Sequence, residues 1–255
     1  MAHWFGPRRS TQEDATGERH ARSGMLSDFI LGSQDGIVNV LAVLLGVAVS
    51  AYLAFRAGTL DDPFRIVIAG GLAATFGESI SMGAVAYTST LACRDHYLGE
   101  LAREEKEMLE VPEIERQEVR EIFEHWGFEG QELDDAVKHI CSKPRAWLEF
   151  MMAHELRLAP LEEGQARKSA ILVGVAAIFG SLIPLVPFLA FPSDIIVGMM
   201  GSVIVAAITL FVIGWYKGRL TVGRPYRSGA QMLVIGIVSA FAGFLIAYLV
   251  GAAPA

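Results

Sequence analysis

Apolar residues along the chain fall into five long runs, at 29–55, 65–92, 168–190, 194–216 and 228–251, separated by one extended polar stretch and several short polar joins. A helix needs roughly 20 residues to cross a hydrocarbon core of about 30 Å, and each run meets that length. The first two runs carry polar groups at depth: Gln34, Asp35 and Asn39 in one, Glu78 in the other. The last three hold no ionisable residue until their ends, so they read as lipid-facing walls. Pro184 and Pro187 should kink the third, because each removes a backbone donor. The second is crowded with small residues (Gly70, Gly71, Ala73, Ala74, Gly77, Ser79, Ser81, Gly83, Ala84), which let helix backbones approach closely in lipid. That span is expected to be central, against its own chain or a second subunit.

Residues 93–167 are too polar for lipid and are punctuated as helices. Pro112 suits a first helical turn, Gly127 and Gly130 mark a turn, and Pro144 opens another helix with Lys143 kept out of the αR region. Helices are expected near 95–110, 112–126, 131–142 and 144–160, the second span running on into the first of them. The predicted fold class is all-α: a polytopic membrane protein of five transmembrane helices with a helical cytoplasmic domain between spans 2 and 3. Its parts would be a mobile tail (1–24), spans 1 and 2 (25–94), the domain (95–162) and spans 3 to 5 (163–255).

Composition sharpens this picture. Hydrophobic residues make up 53% of the 255, more than soluble domains usually contain. Residues 95–163 hold 19 of the 28 acidic and 8 of the 21 basic side chains, a local net charge of −11 that leaves +4 for the rest. A membrane body with one inserted soluble domain segregates charge in this way. The overall −7 gives no reason to expect a nucleic-acid partner. Residues 1–24 lack an apolar core, which argues against a cleaved leader. Cys93 and Cys141 form no spaced thiolate pattern and are expected to be reduced thiols.

Orientation follows from short basic loops, which favour the cytoplasm. The join 217–227 carries Lys217, Arg219, Arg224 and Arg227 and no acid. Counting spans back from it places 93–167 and the N-terminus on the same side, and the C-terminus opposite.

Two groups of residues could carry chemistry. In the polar domain, Glu104 and Glu107 are three apart on one expected helix and Glu115 and Glu118 three apart on the next, so each pair projects from one face. A hairpin through Pro112 would bring the pairs together, and four converging carboxylates call for a cation. The same spacing also suits a solvated acidic face paired with Arg103, Lys106, Arg116 and Arg120. The stretch 147–155 adds Met151, Met152 and Glu155, with Met151 and Glu155 four apart. Thioether with carboxylate suits late first-row ions (Fe²⁺, Mn²⁺, Co²⁺, Zn²⁺) better than Ca²⁺ or Mg²⁺, although paired methionines are also ordinary core filler. His154 is a further candidate ligand or simply a solvated side chain.

Within the spans, Asp35 and Glu78 are costly to bury, and such groups usually mark an ion or proton pathway. Met82 follows Glu78 by one turn, and Asp28 precedes Asp35 by two. Asp28, Asp35, Glu78 and Met82 can therefore form a line of ligands; a protonated carboxyl bonded to a neighbouring helix is the alternative. A di-metal membrane enzyme usually uses Glu-x-x-His pairs, and none occurs in 95–160. A membrane-anchored metal sensor or storage scaffold would leave the intramembrane carboxylates unexplained.

The run Ser27-Asp-Phe-Ile-Leu-Gly-Ser-Gln-Asp-Gly-Ile-Val-Asn-Val40 resembles the first-span signature of the vacuolar iron transporter family. Gly77-Glu-Ser-Ile-Ser-Met-Gly83, Phe150-Met-Met-Ala-His-Glu155 and Gly180-Ser-Leu-Ile-Pro-Leu-Val-Pro187 resemble its second span, its Met-Met-x-x-Glu element and its third span. The likeness covers about residues 25–251. It implies a non-enzymatic homodimer of five-span subunits exporting Fe²⁺, and often Mn²⁺, from the cytosol in exchange for protons, with metal as cargo and no cofactor. It places Glu104, Glu107, Glu115, Glu118, Met151, Met152 and Glu155 in a cytoplasmic metal-binding set, and Asp35 and Met82, with Asp28 and Glu78, on the translocation path. The membrane would be a vacuole-like organelle's in a eukaryote and the plasma membrane in a prokaryote.

Overall fold

A computed structural model describes residues 23–221 and 223–251. The expected tail, 1–24, lies outside the described residues except for Ser23 and Gly24, which open the first helix. The helices run α1 (Ser23–Arg56), α2 (Pro63–Glu110), α3 (Pro112–His125), α4 (Gly130–Cys141), α5 (Pro144–Phe150), α6 (Gln165–Leu182), α7 (Val186–Ala190), α8 (Ile195–Leu220) and α9 (Pro225–Gly251). No strand occurs among the described residues. Five helical stretches are long and apolar enough to cross a membrane: α1, α2, α6 with α7, α8 and α9. The protein is an all-α polytopic membrane protein.

Local chemistry explains several boundaries. The Asp194 carboxylate caps α8 by accepting from the Ile196 and Val197 amides at 3.0 and 3.1 Å. Between α6 and α7 the prolines tighten the backbone into a 3₁₀ turn at Ile183–Leu185. The Ser202 hydroxyl of α8 donates to the Pro184 carbonyl there, satisfying an acceptor that the broken helix leaves open.

The described residues divide into two compact units, one of those up to 82 together with those from 172 onward, and one of residues 83–171. In the first, α1 is the hub. Ile37, Val38, Leu41 and Leu45 pack with Ala206 and Leu210 of α8 and Met232 and Ala240 of α9. Its other side, Val40, Leu44, Ala48 and Ala51, packs on Val67, Leu185, Phe188 and Ile195. On α8 a buried stripe of Gly198, Ser202, Ala206, Leu210 and Gly214 lies opposite exposed Met200, Ile204, Ile208 and Val212. Small residues inside with large apolar residues outside is the pattern of a helix whose outer solvent is lipid. Contact between α1 and α6 is closer still, because a Cβ on Gly36 would stand 2.5 Å from the Ala177 carbonyl oxygen.

In the second unit α3, α4 and α5 close around Val119, Phe123, Leu133, Val137, Trp147, Phe150 and Met151. Phe123 stacks on Phe150 with centroids 5.2 Å apart. The expected helix over 144–160 is corrected: regular α-helix stops at Phe150 and gives way to one π-helical turn, Met151–Glu155. The Leu156 amide reaches back five residues to the Met151 carbonyl at 3.1 Å, and Arg157 then takes a left-handed φ of 55°, which ends the helix.

Candidate metal sites

Glu104 lies near the end of α2 and Glu115 in the first turn of α3, across the break at Pro112. Glu115 shares a helical stripe with buried Val119 and Phe123, so packing of that stripe carries a carboxylate inward at a position suited to an apolar residue. Glu104 is 2% exposed and Glu115 3%. One oxygen of each, Glu104 Oε1 and Glu115 Oε2, is buried without a hydrogen-bond partner. Glu155 arrives from the π turn, and carboxylate oxygens of Glu104, Glu115 and Glu155 lie within 4.8 Å of one another. Met151 and Met152, 0% and 2% exposed, precede it on that turn.

The basic side chains that could have made this a solvated acidic face are engaged elsewhere. Arg103 pairs with Glu100 at 2.7 Å and Glu107 at 3.6 Å, and Lys106 pairs with Glu110 at 3.7 Å. Arg116 pairs with Glu113, and Arg120 with Asp134 at 2.5 Å. Among the described residues no cation pairs with Glu104, Glu115, Glu118 or Glu155. The electrostatic result is carboxyls that resist ionising. Burial, then the adjoining Glu115, then the charges of Glu155 and Glu107 push Glu104 up to about 8. Burial and the charges of Glu155, Glu115, Glu107 and Glu121 push Glu118 up to about 7. Glu155 is raised by burial and by Glu115 and Glu107, with Arg103 opposing. Uncompensated carboxyls in one place are what a divalent cation would neutralise.

The sequence-derived set therefore separates. Glu104, Glu115 and Glu155 converge, with Glu118 and Glu107 within electrostatic reach of them, Glu107 also pairing with Arg103. His154 packs its ring on Trp126 and Phe150, with centroids 4.9 and 4.8 Å away.

Within the membrane-spanning unit, α1 and α2 bring Asp35 and Glu78 together. Asn39, one turn after Asp35, donates from Nδ2 to Glu78 Oε1 at 3.0 Å. The Asp35 carboxyl lies near Glu78 and Asn39, close enough for the three side chains to interact electrostatically. Asn39 was visible in the sequence as a polar residue at depth but had no role there; its spacing from Asp35 was the available signal. Half-buried Asp28 and Met82 stand on the same two helices and do not join the hydrogen-bonded group. Two carboxyls side by side in an apolar helix pair repel unless a proton or cation sits between them.

Comparison with known proteins identifies the family. The profile of the VIT family matches residues 26–248. Vacuolar iron transporter 1 of Arabidopsis thaliana is 32% identical over 245 residues, 96% of this chain and 94% of the relative. Vacuolar iron transporter 2 of Oryza sativa subsp. japonica is 34% identical over 89% of this chain and 88% of its own. Protein CCC1 of Saccharomyces cerevisiae is 27% identical over 89% of this chain and 69% of its own. With a family profile matched over most of its length and relatives above 30% identity along nearly all of it, the chain belongs to the VIT family, whose members are transporters and not enzymes.

Proposed function

We propose that this protein moves Fe²⁺, and Mn²⁺ beside it, out of the cytosol in exchange for protons, as a homodimer. The observation that carries the proposal is the meeting of Asp35 and Glu78 between two apolar helices, where a fixed structural role for a pair of acids is expensive and a cation path is the usual reason for them. The names of the relatives supply iron as the first cargo and a vacuolar membrane as the model for a eukaryotic cell; in a prokaryote the plasma membrane takes that place.

In this reading residues 93–167 face the cytosol. Glu104, Glu107, Glu115, Glu118 and Glu155, with Met151 and Met152, collect ions there, Co²⁺ and Zn²⁺ among them. Asp28, Asp35, Glu78 and Met82 conduct them. Paired carboxyls accept a proton when empty and release it when a dication arrives, so one site serves both ions and exchange follows. The metal is cargo and no cofactor takes part. A membrane-bound sensor would bind ions at the acidic cluster without needing the intramembrane pair.

The deciding experiment is metal flux into proteoliposomes with internal pH recorded together. Flux that accelerates with an opposing proton gradient, and alkalinisation of the lumen that receives the metal, is expected. Metal binding without flux would return the protein to the sensor reading.

A further inference from the structure

Three side chains meet between α1 and α2, and only one of them is uncharged. Asn39 donates to Glu78 Oε1 at 3.0 Å and lies one turn from Asp35 on the same helical face. We propose that Asn39 is the positioning residue of the intramembrane site: its amide fixes Glu78 against Asp35, so that the other Glu78 oxygen and the Asp35 carboxylate are presented together to a divalent cation. The inference rests on the reading of Asp35 and Glu78 as the cation path.

The chemistry of the surroundings explains why an amide does this. Two acids on neighbouring helices separate unless a donor holds them. A lysine or arginine would hold them but would also occupy the site with positive charge, and α1 has no basic residue before Arg56, nor α2 any between Arg65 and Arg94. The hydroxyls of Ser33, Thr75 and Ser79 are spent on their own backbones: Ser33 donates to the Phe29 carbonyl at 2.7 Å, Thr75 to Gly71 at 2.8 Å and Ser79 to Thr75 at 2.6 Å. Asn39 instead turns its amide across to the neighbouring helix. It supplies an N–H to the carboxylate, adds no charge, and keeps an amide oxygen as a further neutral acceptor. Its effect on the cation is through Glu78, which makes it a positioning group.

A double-mutant cycle tests the assignment. Mn²⁺ transport by the full-length protein in proteoliposomes is measured for wild type, Asn39→Leu, Asn39→Ser, Asn39→Gln, Glu78→Gln, and Asn39→Leu combined with Glu78→Gln. Loss of one hydrogen bond to a charged group corresponds to about a tenfold change or more in apparent affinity. Asn39→Leu should therefore raise KM on the order of tenfold, with Vmax less affected. Asn39→Ser, whose hydroxyl would turn to its own helix, should behave alike, and Asn39→Gln should recover part of the loss. In the Glu78→Gln background Asn39→Leu should add nothing. An equal loss from Asn39→Leu in both backgrounds, or wild-type KM in Asn39→Leu and Asn39→Ser while Glu78→Gln is impaired, would overturn the positioning role alone. Wild-type kinetics in Glu78→Gln would instead remove Glu78 from the path, and this inference with it.

Discussion

Replacing Glu104 by Gln keeps the shape of the acidic cluster and removes its most strongly perturbed carboxyl. With Glu104 raised to about 8 and Glu118 to about 7, at pH 7 roughly nine-tenths of the first and half of the second carry a proton. A dication can bind only to the ionised forms, so loading the site at pH 7 should release roughly one to one and a half protons per ion. Without Glu104 the release should fall to about half a proton. Affinity should drop on the order of tenfold or more, since one charge-assisted ligand is gone. Stability of the metal-free protein should move the other way. The folded state holds the Glu104 proton from the ordinary value of 4.5 up to about 8, while the unfolded chain has released it. Folding stability therefore falls as pH rises through that window, by about 1.4 kcal/mol per pH unit. Gln cannot ionise, so the variant should lose less stability between pH 5 and 8 than wild type does. Titration calorimetry with Mn²⁺ in two buffers of different ionisation enthalpy counts the protons, and thermal unfolding at both pH values reads the stability. Metal binding by wild type without proton release between pH 6.5 and 8, or unchanged affinity in Glu104→Gln, would refute the reasoning.

Three further outcomes are expected. Asp35→Asn should abolish Fe²⁺ flux in proteoliposomes while the protein still inserts, and Met82→Leu, which keeps volume and removes sulfur, should weaken flux more than it lowers the unfolding temperature; wild-type flux in Asp35→Asn would place the path elsewhere. Tags at residues 1 and 255 should be reached from opposite sides of the membrane, and labelling from one side would break the five-span topology. Gly180→Val should destabilise the detergent-solubilised protein by about 1–3 kcal/mol, more than Gly180→Ala, because its side chain would fall on the Ser33 backbone; an unfolding temperature equal to wild type would show that α1 and α6 are not packed at that distance.

The five spans, the acidic helical segment and the family were all readable from the chain before any folding was considered. Hydropathy over about 20 residues is a property of composition, and helix punctuation by Pro112, Gly127, Gly130 and Pro144 acts through local backbone geometry, so neither needs a tertiary neighbour. The i, i+3 spacing likewise placed Glu104 with Glu107 and Glu115 with Glu118, because helical periodicity is local. Which of those carboxylates meet was another matter. Glu115 is inside because its stripe with Val119 and Phe123 packs against α4 and α5, and buried Glu104 of α2 meets it there, while Glu107 pairs with Arg103. The π turn that delivers Glu155 widens a helix whose sequence reads as ordinary, and it carries the buried Met151 and Met152. Asn39 was one polar residue among several at depth until α1 and α2 came within 3.0 Å of hydrogen bonding through it. Spacing along a helix is set by the chain itself, whereas partners across helices exist only once apolar faces have chosen their neighbours, and the chemistry of this protein lies across helices.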